Sequence, residues 1–158
     1  MDFSYTSDQL ALQETVRRFA VSELVGEARD VEKTGCPPSA ETVLKYAQQG
    51  LLGVNLPTEY GGSGMSHFEA VLVLEEVAKI SIAMAFPVFE SSFGPALAVA
   101  HFGSAELKAA VLPKVCSGEM QIAVSMSEPD AGTALTDLTT TATPSAVSYT
   151  HLTLPTKA

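Results

Sequence analysis

Tryptophan is missing altogether, cysteine occurs twice, and nine basic side chains face eighteen acidic ones in a chain of 158 residues. The resulting net charge of −9 argues against nucleic acid or anionic lipid as a partner, since phosphate affinity is assembled mainly from Lys and Arg. Cys36 and Cys116 show no C-x-x-C spacing, so free thiols are expected rather than a disulfide. His67, His101 and His151 are too scattered to nominate a metal site. No apolar run is expected to approach the roughly 18 residues a bilayer requires, which excludes a membrane-spanning chain at this level of reading. The first twenty residues carry Asp2, Asp8 and Glu14 and no basic segment ahead of an apolar one, so no signal peptide is expected and a cytoplasmic address follows.

What is present suits a packed core: 46% of residues are hydrophobic and 17% charged, enough for one domain of ordinary size, or one domain and a fragment. Thr6 followed by Gln9 reads as a capping box, with Tyr5 and Leu10 at staple spacing. Leu12, Val16, Phe19, Ala20 and Leu24 then recur at helical intervals, and Glu14 can pair with Arg18, predicting a helix over 7–25. The Thr34-Gly35-Cys36-Pro37-Pro38 run is a loop. A second helix should start near Ser39, bury Val43, Leu44 and Ala47, and end at Gly50 in a Schellman turn. Residues 55–64 read as a turn-rich connection; their glycines lack the Lys-Ser/Thr that a phosphate loop needs.

Ser66 with Glu69 opens a third helix that is apolar nearly all round, with its polar face at Glu75, Glu76 and Lys79, and so should be central. Residues 81–102 are helical in length and apolar, interrupted at Pro87 and at Gly94-Pro95, where kinks could open a pocket. Met84, Phe86, Phe89 and Phe93 lie there at helical spacing, as core or as pocket lining. A fifth helix begins at Ser104, contains Pro113 and closes at Gly118. Beyond it residues 120–127 are strand-like, residues 128–133 form a turn, and six threonines between Thr133 and Thr143 favour extended chain. The expected fold is therefore mainly α: an N-terminal bundle of about five helices followed by an incomplete β segment, since two strands do not make a stable sheet alone.

The run from Ala123 through Val124, Ser125, Met126, Ser127, Glu128, Pro129, Asp130, Ala131 and Gly132 to Thr133 resembles a signature of the acyl-CoA dehydrogenase family. Gly50-Leu51-Leu52-Gly53, Pro57-x-Glu59-Tyr60-Gly61-Gly62, Phe102-Gly103-Ser104 and Leu112-Pro113-x-x-x-Ser117-Gly118-Glu119 match family landmarks in the same order. The resemblance implies an N-terminal helical domain over 1–118, the beginning of the middle β-domain with its FAD signature over 119–143, and a non-family tail over 144–158. It implies an oxidoreductase of fatty acid metabolism that oxidises acyl-CoA to trans-2-enoyl-CoA with FAD, passes electrons to an electron-transfer acceptor protein, and is a homo-oligomer at full length.

By the same resemblance Val124, Ser125, Met126, Ser127, Gly132 and Thr133 bind the cofactor, Thr133 also nearing the acyl-CoA. Independently of it, neutral N–H and hydroxyl donors suit a ring that gains negative charge on reduction. Glu128 and Asp130 are then expected to point away from an anion. Read without the resemblance, the same stretch is a plain β-turn.

Departures are equally specific. Val124 stands where the family has an aromatic, and Asp130 and Ala134 stand where Gly and Asp are frequent. No tryptophan strand and no carboxylate matching the family's base is present, so the expectation is an N-terminal fragment with no catalytic residue of its own. Residues 144–158 resemble a translated sequencing adapter, and are expected to be disordered or artefactual. Two other readings are kept: a non-catalytic helical interaction module, and an acyl-CoA oxidase or flavin monooxygenase of the same fold.

Overall fold

A computed structural model describes residues 4–143 and 151–153. The chain divides into two compact units, residues 1–123 and 124–158. The first is a bundle of α1 (Ser7–Phe19), α2 (Val25–Thr34), α3 (Ala40–Gln48), α4 (His67–Ala78), α5 (Ile82–Ser92), α6 (Pro95–Phe102) and α7 (Ala105–Cys116). The mainly helical reading holds. The expected helix 7–25 runs further, because a π-helical turn, Ala20–Leu24, carries α1 directly into α2. The expected segment 81–102 is two helices, parted at Phe93 and Gly94 ahead of Pro95.

Capping explains where the helices begin. Thr6 accepts from the Gln9 amide at 3.2 Å while the Gln9 side chain accepts from the Thr6 amide at 3.0 Å. Ser66 and Glu69 form the equivalent box on α4. The two boxes are joined, since Gln9 Nε2 donates to Glu69 Oε1 at 2.8 Å. Farther along, Arg17 Nε meets Glu76 Oε2 at 3.2 Å, so α1 and α4 lie side by side in the same direction. The end of α3 is the expected Schellman turn: Gly50 takes φ +68°, its amide bonds Ala47 O, and the Leu51 amide reaches Tyr46 O at 2.9 Å.

One core joins α1 to α5 through Val16, Leu24, Val43, Tyr46, Val73 and Met84; a second joins Leu56, Ala96, Leu112 and Val115 beneath α6 and α7. Three expectations are corrected here. Leu44 is exposed and Tyr46 is buried in its place, its hydroxyl donating to Met84 O at 2.9 Å. Glu76 belongs to no polar face: it is buried between Arg17 and Lys79, whereas Phe68 and Val71 of the same helix are exposed. An apolar stretch does reach membrane length, since Ile82–Phe102 passes on length and composition with a mean hydropathy of 1.4. Its Met84, Ala85 and Val88 are buried in the core of the bundle, and Pro87 interrupts its hydrogen bonding.

Residues 120–127 join no ladder among the described residues, which corrects the strand expected there; a strand is defined by the partner it bonds to. Glu128 and Ala131 close a tight turn by exchanging backbone hydrogen bonds at 2.9 and 3.2 Å. A short 3-10 turn, Leu135–Asp137, follows, then β1 (Thr141–Thr143), which pairs antiparallel with β2 (His151–Thr153). The tail predicted over 144–158 otherwise lies outside the described residues.

Candidate functional site

Two places carry the functional argument, one in each unit. In the second unit the nominated residues follow one another along an open, extended segment and its turn. Val124, Ser125, Met126 and Ser127 are exposed, and so are Gly132 and Thr133. Among the described residues the backbone groups of 124–127 have no hydrogen-bond partner, so a short row of N–H, C=O and hydroxyl groups stands free. No protein atom lies within 4 Å of where a Cβ on Gly132 would sit, so internal packing places no demand for glycine there.

Glu128 is the residue whose role could not be read from the sequence. Its carboxylate accepts from the Thr139 amide at 2.9 Å, the Thr139 hydroxyl at 3.0 Å and the Thr140 amide at 2.8 Å. Those bonds from Thr140 and Thr139 pull its pKa down to about 2. One of the two negative charges in the turn, that of Glu128, is thus occupied in tying the turn to the segment that follows. This is a physical answer to the puzzle of an acid in a segment expected to face an anion. The residues present fit FAD on chemistry: free backbone donors and acceptors, two neutral serine hydroxyls, a threonine hydroxyl, and an acid engaged elsewhere.

In the first unit, α5, the Pro37-Pro38 loop and residues 120–123 enclose a cleft of about 260 Å³. Val43, Leu52, Phe86, Pro87, Val115 and Ile122 give it apolar walls. Of the four residues nominated as lining, Phe86 does line it. Met84 is fully buried, and Phe89 and Phe93 stack with ring centroids 6.2 Å apart outside the cleft's lining. Glu90, missed in the sequence, also lines it, and its Oε2 is buried without a hydrogen-bond partner. Burial pushes this carboxyl above its ordinary range. The signal was available: Glu90 is the only acidic or basic residue between Lys79 and Glu106, His101 aside.

In the sequence, the helical unit is followed by an extended, donor-bearing segment. The family described as "Acyl-CoA dehydrogenase, N-terminal domain" matches residues 6–119, and the chain belongs to the acyl-CoA dehydrogenase family. It is 35% identical over 140 residues to a 3-sulfinopropanoyl-CoA desulfinase of Paraburkholderia xenovorans, covering 89% of this chain and 36% of that protein. A glutaryl-CoA complex of glutaryl-coenzyme A dehydrogenase superposes with a TM-score of 0.82 at 32% identity, over 90% of this chain and 36% of that one. An acyl-CoA dehydrogenase of Bacillus anthracis complexed with FAD does so with a TM-score of 0.83 at 27% identity, over 96% and 26%. The chain thus spans about a third of the length of the curated relatives it matches.

Proposed function

We propose that these residues form the N-terminal part of an FAD-dependent acyl-CoA dehydrogenase that oxidises acyl-CoA to trans-2-enoyl-CoA in the cytoplasm and passes electrons to an acceptor protein. The observation that carries the reading is the free row of donors and acceptors over 124–127, in a chain of this family, beside a turn whose Glu128 carboxylate bonds elsewhere. FAD, when bound, supplies the two-electron acceptor.

The protein's own part is positioning. Backbone groups of Val124 and Met126 would hold the ring edge, and the Ser125 and Ser127 hydroxyls would donate to it as it gains charge. Gly132 leaves room for close approach of a phosphate, with the Thr133 hydroxyl as donor to phosphate or acyl-CoA. Glu128 keeps the turn in shape. No general base is assigned in this chain, so alone it is expected to turn over no substrate; the whole protein is proposed to be a homo-oligomer.

Joining residues 1–133 to the matching remainder of a glutaryl-CoA dehydrogenase tests the reading. The chimera is expected to be yellow and to reduce a dye acceptor with an acyl-CoA. A helical, soluble chimera that takes up no FAD would contradict it.

A further inference from the structure

Residues 120–127 have the composition of a strand and lack the partner. Met120, Ile122, Val124 and Met126 alternate with Gln121, Ala123, Ser125 and Ser127, so extended chain here has one apolar face and one small, polar face. No Pro, Gly or charged residue falls between Glu119 and Glu128, and those are the residues that keep an exposed edge from pairing. Met120, Val124 and Met126 are exposed, and the backbone groups of 121–127 have no hydrogen-bond partner among the described residues. In a chain of net charge −9, two copies repel over most of their surface, and this uncharged stretch is where they can approach.

The segment is also complementary to itself in one register. Antiparallel pairing of two copies about Ala123 sets Met120 opposite Met126 and Ile122 opposite Val124 on one face, and Gln121 opposite Ser125 on the other. Glu119 then faces Ser127 and Glu128 faces Gly118, so no two acids meet. A slip of one residue, pairing Ala123 with Val124, brings Glu119 opposite Glu128 at both ends and Gln121 opposite Met126. The Met120 amide is already engaged, donating to Lys114 O at 3.0 Å. Amide direction alternates along a strand, so the amides of Gln121, Ala123 and Ser125 are the set left for a partner on the other edge.

We infer that the partner of this segment is a second copy of the chain, with residues 121–125 of the two copies paired antiparallel about Ala123 in a weak two-fold dimer. The amides it uses are not the Val124 and Met126 groups that the flavin reading calls on, so either reading can fail alone.

The test uses the full chain with its exposed thiol removed, Cys36→Ser, and one cysteine added at a time: Gln121→Cys, Ala123→Cys or Ser125→Cys. At the two-fold centre the paired Cα atoms lie about 5.5 Å apart, within disulfide reach, whereas each flanking position is about 13 Å from its own copy. Under mild oxidation Ala123→Cys is expected to form a covalent dimer about tenfold or more faster than the other two. Sedimentation equilibrium of the parent chain is expected to show a dimer growing with concentration, and Val124→Lys, with its helical circular dichroism unchanged, to stay monomeric. Equal crosslinking at the three positions, a parent chain that stays monomeric at millimolar concentration, or a dimer unchanged by Val124→Lys overturns the inference. Loss of FAD binding with the Ala123→Cys crosslink intact would instead count against the flavin reading alone.

Discussion

Single side chains set the balance of this bundle where polar groups enter its core. Glu76 is buried, and although burial alone would raise its pKa, hydrogen bonds and charge from Lys79 and Arg17 leave it lowered. A carboxyl lowered in the folded state adds stability above its unfolded value near 4.5, and that stability is lost as pH falls through the folded value. Glu76→Gln should therefore cost about 1–3 kcal/mol at neutral pH and narrow its gap to the parent on acidification from pH 5 to 3. Urea denaturation at several pH values checks both. Tyr46→Phe leaves Met84 O without its donor and should cost about 1–2 kcal/mol, read from the urea midpoint. Both positions show where sequence reading fails: helical periodicity favoured Leu44 over Tyr46 and put Glu76 outside, because it registers polarity but not the partner across the interface.

At the scale of elements, termini and turns were the most legible part. Thr6, Ser39, Ser66, Ser104 and Gly50 all act where local chemistry placed them, since a cap is satisfied by residues a few positions away. Ser66→Ala should accordingly cost about 1 kcal/mol in thermal or urea unfolding. The loop over 55–64 is held more tightly than its composition suggested: a Cβ on Gly62 would lie 2.3 Å from Leu56 O, so Gly62→Ala must displace backbone. A loss of about 2 kcal/mol or more is expected by the same measurement. The strand predicted at 120–127 was not legible, because β-branched composition reports a preference for extended chain and says nothing of the neighbour that completes a ladder. Glu128→Gln should weaken the clamp on Thr139 and Thr140, speeding hydrogen exchange at those two amides while leaving the helical amides unchanged.

For the whole molecule, the ordered landmarks in the sequence were enough to identify the family, and the family in turn made the signature intelligible. The role of Glu128 was beyond that reading, since it depends on what lies around a carboxylate in space, here three converging donors. The central claim concerns the row of free donors over 124–127 and the turn ending in Gly132 and Thr133. Titration of the ¹⁵N-labelled chain with FAD tests it most directly. Progressive shifts at the amides of Val124, Ser125, Met126, Ser127, Gly132 and Thr133 are predicted, reduced by Ser127→Ala. Shifts confined to other parts of the chain, or none at millimolar FAD, would contradict the account.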